Sequence, residues 1–459
     1  MKIEVLFRQF VYWGVWLIIP ILWELFMGFA GSLLVIIKYI LRKPEKDIDF
    51  YPMVTVLIPV YNSQKTLEMC LESIVKQDYP TDKIEIFLID NGPSDDSYNI
   101  FIKFQKEYPQ LKIWWYTSSQ GKSKALNKGI FASMGKYVIN IDSDGILDPS
   151  AIKNVVKRFE NNKKVNSLTG VILTNPELID NTESDFLKTI QLCELFEYAE
   201  SFFVGRNVQA VFNTMYTLAG AFSAFRREAL LKTQMYNSET LGEDTHMTFQ
   251  IKNFAGGKVD FCEKAFFLVD PIESLNRIYI QRQRWQRAEL EVARLFVDQH
   301  IGGIFDFITK SPVRKMVSDH TLMFPRLIWF FAMIYLYFIN YPMELIVGAN
   351  VLMYAAYLFN SIIYIFASTL YLKNQAEIKN YILKHWYIIF ILPFYRFILY
   401  WIRIAGVINS IKTDSKWNTK TFSEEIGQVS SGITRGIKKM MPFIGIVKRY
   451  ISREQDSQS

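Results

Sequence analysis

Hydrophobic and polar positions divide the chain into three regimes. From 10 to 41, "FVYWGVWLIIPILWELFMGFAGSLLVIIKYIL" is apolar almost without a break, with Glu24 inside it. About 20 apolar residues in helical form cross a bilayer, so this run predicts an N-terminal anchor within 1–45. No short apolar core is followed by a small-residue cleavage site, which favours a retained anchor over a signal peptide. Apolar character returns between Thr321 and Leu372, where the pattern predicts two spans broken at "NYPMEL". A third run, "HWYIIFILPFYRFILYWIRIAGVI" (385–408), has span length but carries Pro393, Arg396 and Arg403. Two readings stay open for it: a third crossing, or a segment that lies in the interface or re-enters.

The middle, from about 50 to 275, has a different rhythm. Short apolar runs, "MVTVLIPVY" (53–61), "IEIFLID" (84–90), "KIWWYT" (112–117) and "YVINIDSD" (137–144), predict buried strands. Between them "SQKTLEMCLESIVKQ" places Leu67, Leu71, Ile74 and Val75 at helical spacing, and helices are predicted near 95–107 and across "SKALNKGIFAS". Strands alternating with helices at this interval predict an α/β domain with a mostly parallel sheet covered on both faces. Ligands of such sheets bind beyond the carboxyl ends of the strands.

Charge sharpens the topology. The 459-residue chain is half hydrophobic, with a formal net charge of +7. Lys38 near the end of the first apolar run, with Arg42, Lys43 and Lys46 after it, places the middle domain in the cytosol by the positive-inside rule. The tail, 411–459, is basic through Lys412, Lys416, Lys420, Arg435, Lys438 and Lys439, and its "GIKKMMPFIGIVKRYI" is amphipathic enough to lie on lipid. A cytosolic tail requires either that 385–408 lies in the interface or re-enters, or that the N-terminal run is not a simple single crossing. The basic residues form no nucleic-acid-binding motif. Cys70, Cys193 and Cys262 are widely spaced, which predicts neither a disulfide framework nor a zinc site.

Several short segments carry candidate chemistry. "IDSDG" sets Asp142 and Asp144 two residues apart just after a strand. A divalent ion relieves the repulsion of such a pair, although an Asx turn at a strand end has the same letters. "QGKSKALNKG" offers Gly121, Lys122 and Lys124 ahead of a helix, either a phosphate contact or a solvated basic turn. "LGEDTHM" puts Glu243 and Asp244 at a helix start, where acids also serve the helix dipole. His246 has no second ligand at metal-binding spacing and reads as a helix-face residue. "QRQRWQR" (281–287) gathers three arginines and Trp285 upstream of the apolar block, suited to phosphate and a sugar ring or to anionic lipid.

In this order the segments resemble the membrane-bound family 2 glycosyltransferases of the processive type, the cellulose, chitin, hyaluronan and poly-N-acetylglucosamine synthases. The resemblance runs from about Met53 to Ala288. It rests on "VTVLIPVYNSQKTLEMCLESIVKQDYP", "LIDNGPSDDS", "GKSKALNKG", "NIDSDGILDP", "LAGAFSAFRREAL", "GEDTHMTFQI" and "QRQRW". It implies a GT-A-type nucleotide-sugar-binding domain inserted between transmembrane helices, with interfacial amphipathic helices. The organisation implied is an anchor at 1–45, the catalytic domain at 50–275, interfacial helices at 276–320, membrane or interfacial segments at 321–410, and the basic tail at 411–459.

The resemblance also implies roles. Asp90 would contact the uracil ring, and Lys122, Asp142, Asp144, Gln281 and Arg284 would bind the donor. Asp142 and Asp144 would hold Mg2+ or Mn2+, with Asp144 the chief ligand. Asp244 would be the general base, with Glu243 beside it as the next candidate. Gly220, in the acceptor-side loop 218–230, and Trp285 would face the acceptor. "KWNTK" (416–420) resembles an element that follows the last membrane segment in related synthases. The turn Asn91-Gly92-Pro93 and His246 depart from the family's pattern and leave the donor sugar open. The activity implied is inverting transfer from a UDP-linked sugar to a cell-surface polysaccharide, at a multi-pass plasma-membrane enzyme that exports its product, with accessory export or assembly proteins as partners. The rival readings are a glycolipid synthase that adds one sugar and a catalytically silent scaffold.

Overall fold

A computed structural model of the protein describes residues 25–92, 94–238, 240–300 and 324–412, with backbone alone at 296–300, 324–326, 328 and 410–412. The beginning of the predicted anchor, the end of the predicted interfacial segment and the tail beyond 412, with "KWNTK", lie outside the described residues.

One sheet of eight strands organises the middle domain. They are β1 (Val54–Val60), β2 (Ile84–Asp90), β3 (Lys112–Thr117), β4 (Tyr137–Ile141), β5 (Gly145–Leu147), β6 (Val165–Thr174), β7 (Phe222–Arg226) and β8 (Lys258–Val269), in the order β3-β2-β1-β4-β7-β6-β8-β5. β1 is buried along its whole length, as a strand covered on both faces must be. The first four strands in that order are parallel, with Val60 level with Asp90 and Leu57 beside Asn140. Their carboxyl ends therefore open on one edge.

The second half corrects the expectation of a mostly parallel sheet. β7 runs antiparallel to both β4 and β6, and β5 runs antiparallel to β8. The stretch 218–230 is accordingly not a loop throughout. Phe222–Arg226 is a buried central strand, and only the residues before it form a turn. Pairing Ile141 with Phe222 sets that turn against the end of β4, where the Asp142 N–H donates to the Ala221 carbonyl at 3.1 Å.

Helices cover the sheet by burying one stripe each. In α1 (Phe26–Leu41) the residues are apolar nearly throughout. α2 (Leu67–Val75) buries Leu67, Cys70, Leu71 and Ile74, while Val75 is only half-buried. α3 (Ser97–Glu107) and α4 (Lys122–Ala132) follow the predicted spans closely. α5 (Ala151–Asn161) buries Ile152, Val155, Val156 and Phe159, and the Phe159 ring stacks on Tyr137 with centroids 4.7 Å apart. The three cysteines are free and buried. α6 (Asp185–Glu200), capped by the Ser184 hydroxyl, is different: it buries Gln191 and Glu194 along with its apolar residues. α7 (Glu243–Gln250) precedes β8, and α8 (Leu275–His300) leaves the sheet carrying 281–287.

Beyond 323 come α9 (Phe324–Phe338), α10 (Met343–Tyr371), α11 (Ala376–Lys384) and α12 (Leu392–Lys412). The predicted break at "NYPMEL" is present: Asn340 has φ 57° and Pro342 stands at the N-cap of α10. Among the described residues one helix, Met343–Asn374 with its closing turn, is long and apolar enough to cross a membrane. Phe26–Leu41 and Trp329–Phe338 are shorter. The two arginines within 385–408 find partners on α6 and α8. Pro393 falls in the first turn of α12, where its missing N–H costs little. Arg396 forms an ion pair with Glu200 of α6, and Arg403 Nε donates to Gln286 Oε1 of α8 at 2.9 Å. A Cβ on Gly406 would lie 3.1 Å from the Gln286 Cβ, so α8 and α12 approach closely.

Candidate active site

The open edge of the parallel half-sheet gathers the acidic groups. Asp90 ends β2, half-buried, and its carboxylate accepts the Gly92 N–H at 2.7 Å. Gly92, at φ 78°, makes that tight turn without a Cβ to strain it. The Asn91 side chain then receives the Gly121 N–H, so the divergent Asn91-Gly92 turn ties the β2 end to the start of α4. Asp142 and Asp144 follow β4 directly.

Lys122 reaches across this edge. Its ammonium lies 2.6 Å from Asp142 Oδ1 and 3.4 Å from the Gly220 carbonyl, which also accepts Asn140 Nδ2 at 3.1 Å. Burial works against the Lys122 charge, but Asp142, Asp244 and Glu243 outweigh it and hold its pKa above the ordinary range. Asp144 is exposed at the mouth of this edge, where crowding strips part of its solvation and, with the Asp142 charge next, pushes its carboxyl upward. Lys122 thus serves a carboxylate in this structure, beyond the backbone phosphate contact that its sequence position suggests.

The second acidic pair comes from the first turn of α7. A Cβ at Gly242 would strike the Ala288 carbonyl at 2.8 Å, and the Leu241 N–H donates to Glu291 at 3.2 Å, so α8 fixes where α7 begins. Asp244 then faces Gly220 at a distance that excludes a side chain: a Cβ there would lie 1.9 Å from Asp244 Oδ2. Asp244 Oδ1 is buried with no hydrogen-bond partner among the described residues. Burial, followed by the Glu243 charge, raises the Asp244 pKa well above the carboxylate range, with Lys122 and Arg284 pulling the other way. Arg284 therefore shares the electrostatic field of Asp244. Gln281 Oε1 is likewise buried and unpartnered among the described residues. His246 pairs with Gln250 through Nδ1 at 2.9 Å, a helix contact as its sequence context implies.

Trp285 stands on α8 and is 40% exposed. Its neighbour was not singled out by sequence reasoning. The Arg282 guanidinium lies over the indole, 4.5 Å from the centroid, and grips Glu197 of α6 with two bonds of 2.7 and 3.1 Å. Arg282 precedes Trp285 by three residues, which is helical adjacency and was legible. Glu197, far away in the chain, gave no such signal. Asn140, whose Oδ1 is buried without a partner among the described residues, was also missed.

The acidic edge suits a divalent ion. Asp144 is pushed upward partly by its repulsion with Asp142, which a cation would relieve. No set of three His, Cys, Asp or Glu ligands gathers among the described residues. An ion held by Asp142 and Asp144 would complete its shell from water and a phosphate, in the manner of Mg2+.

The chain is similar to known proteins in sequence and in fold. The profile of Glycosyl transferase family 2 matches residues 55–233. Poly-beta-1,6-N-acetyl-D-glucosamine synthase of Staphylococcus epidermidis is 26% identical over 375 residues, covering 77% of this chain and 82% of the relative. The protein of that name from Staphylococcus aureus (strain COL) is 27% identical over 257 residues, 56% of this chain and 59% of its own length. Among solved structures, a mannosyltransferase of Pyrobaculum calidifontis in complex with GDP-Man and Mn2+ has a TM-score of 0.55 at 19% identity, covering 78% of this chain and 98% of that one. That last likeness shows the fold, a GT-A-like α/β arrangement on a mixed sheet. Asp244, Arg284 and Trp285 lie beyond the family match, yet the fold returns Asp244 to the edge that the matched residues build. Residues 55–233 are a family 2 glycosyl transferase domain, and the protein that carries them is a glycosyltransferase.

Proposed function

We propose that the protein transfers a sugar from a UDP-linked donor to the end of a growing polysaccharide, and that the sugar is N-acetylglucosamine. The observation that carries the chemistry is the buried Asp244 Oδ1, without a partner among the described residues, on a carboxylate set across Gly220 from the Lys122–Asp142 pair. The substrate class is supported by the poly-beta-1,6-N-acetyl-D-glucosamine synthases, whose likeness spans 375 residues and so reaches beyond the matched domain.

In this reading Asp90 contacts the uracil, and Asp142 and Asp144 form the diphosphate end of the donor site. A bound Mg2+ or Mn2+ would supply charge neutralisation for the departing diphosphate there. Lys122 keeps Asp142 in place, and Arg284 and Gln281 approach the donor from α8, with the guanidinium as a preorganised positive group. Asp244 takes the proton of the acceptor hydroxyl as its oxygen forms a bond to the anomeric carbon. The bond from that carbon to the phosphate oxygen breaks on the opposite face, its electron pair leaves with UDP, and the configuration inverts. Trp285 offers the acceptor sugar a flat apolar surface.

The architecture proposed with it is a cytosolic catalytic domain, 50–275, on interfacial helices, 276–320. The apolar segments 1–45 and 321–410 hold it at the plasma membrane, the basic tail 411–459 lies on the cytosolic side, and the product is exported through the membrane. The pairing of Arg396 and Arg403 with α6 and α8 supports a docked, interfacial α12 over a free crossing. Full-length enzyme in nanodiscs, given UDP-N-acetylglucosamine with Mg2+ or Mn2+, should release UDP and form polymer. Absence of transfer from every UDP-sugar offered would contradict the reading.

A further inference from the structure

We infer that Glu197 and Arg282 are positioning residues that hold the Trp285 indole as the acceptor platform, and that Tyr395 ties them to the apolar C-terminal helix. The inference rests on the reading of Trp285 given above.

A tryptophan 40% exposed on a helix surface has several rotamers open to it. A sugar-stacking surface works only if one of them is already populated when the acceptor arrives, because ordering it on binding costs affinity. Here the constraint comes from one face of the ring. The Arg282 carbon Cζ sits 4.5 Å over the indole and 5.8 Å from the Tyr198 ring. The guanidinium cannot swing away, since Arg282 is buried to 8% exposure and its fork is held by both oxygens of Glu197. A planar fork fixed at two points has a defined plane, which a lysine ammonium would lack.

Glu197 is itself held from the far side. The Tyr395 hydroxyl of α12 donates to Glu197 Oε2 at 3.3 Å, and three residues further along α6 Glu200 pairs with Arg396. The line Trp285–Arg282–Glu197–Tyr395 thus runs from the exposed face of α8, through α6, to a helix of the apolar C-terminal region. A shift of α12 relative to the domain would reach the indole through two side chains. None of the three supporting residues needs to touch the sugar.

The test uses full-length enzyme with a soluble N-acetylglucosamine oligosaccharide primer. Arg282→Lys and Glu197→Gln should raise the acceptor KM by about tenfold, on the scale of one lost cation–π contact. Their donor KM should stay within about twofold of wild type, because a cation–π contact to Trp285 lies away from the diphosphate. In a Trp285→Ala background, Glu197→Gln should add nothing further, since residues acting through one another are not additive. Tyr395→Phe should shift the acceptor KM in the same direction by less. Either single variant that leaves an unpaired buried charge could fail to fold. The Glu197→Gln/Arg282→Met pair removes both charges together and should fold and show the same KM split. A folded pair variant with a wild-type acceptor KM would overturn the inference, as would losses from Glu197→Gln that add fully to those of Trp285→Ala. If Trp285→Ala itself left the acceptor KM unchanged, the platform reading would fail and take this inference with it. A raised KM in Trp285→Ala alone would sink only the positioning role.

Discussion

Gly220 and Asp244 touch as backbone against carboxylate: a Cβ on Gly220 would lie 1.9 Å from Asp244 Oδ2. The two residues come from different elements, the turn before β7 and the first turn of α7. Gly220→Ala should therefore displace the carboxylate while leaving the diphosphate side untouched. Turnover should fall by about 10²-fold, the cost of a misplacement near 1 Å. Donor affinity, measured by calorimetry on the same variant, should change little, and normal kcat in Gly220→Ala would show that Asp244 is not the reacting base.

Asp244→Asn keeps the shape of that group and removes its basicity. Its kcat should drop by roughly 10²–10⁴-fold with donor binding nearly intact. If turnover stays near normal, the base lies elsewhere, and Glu243→Gln becomes the informative variant.

The raised Asp244 pKa has two consequences of defined sign. Below it the carboxyl is protonated and cannot accept a proton, so kcat should rise with pH through a limb above the ordinary carboxylate range. For the unliganded protein the native state binds this proton more tightly than the unfolded chain does. Stability from this group is present at low pH and is lost as pH rises through the folded pKa. A kcat profile with its acid limb at an ordinary carboxylate pKa, near 4, would disagree.

Much of this edge was legible from local pattern. β2 and β3 lie where their apolar runs predict, and the D-x-D falls where a strand ends. What was not legible depends on partners distant in the chain. "FSAFR" is short and follows Gly220-Ala221, and nothing local announces that it inserts antiparallel between β4 and β6. Arg396 and Arg403 look misplaced in an apolar run until α6 and α8 supply Glu200 and Gln286. The same is true of Glu197, whose role is visible only beside Arg282.

Lys122 pairs with Asp142 and lies in the field of Glu243 and Asp244, so Lys122→Met should leave Asp142 facing Asp144 and Asp244 with less opposing charge. Losing a hydrogen bond between charged groups costs about 1.5–3 kcal/mol, which thermal unfolding of the variant should register. Added Mg2+ should recover part of that loss if it binds the same carboxylates, as the proposed mechanism requires. No loss of stability in Lys122→Met would mean that the pair makes no net contribution.

Metal dependence has its own signature in Asp144. Chelation should abolish turnover, and Mg2+ or Mn2+ should restore it. Asp144→Ala should weaken donor binding as well as turnover, because Asp144 would hold the ion that neutralises the diphosphate. Full turnover in excess chelator would exclude that part of the mechanism.

The central claim is that this glycosyltransferase lengthens a polymer, and product length tests it most directly. Purified full-length protein in nanodiscs would be supplied with excess UDP-N-acetylglucosamine, Mg2+ and a short primer, and its products sized by mass spectrometry. The account predicts a ladder of oligosaccharides extending well past the primer, shifting to longer chains with time and lost in Trp285→Ala while that variant still binds UDP. Primer or lipid extended by a single sugar, however long the incubation, would contradict it and make the protein a one-step transferase.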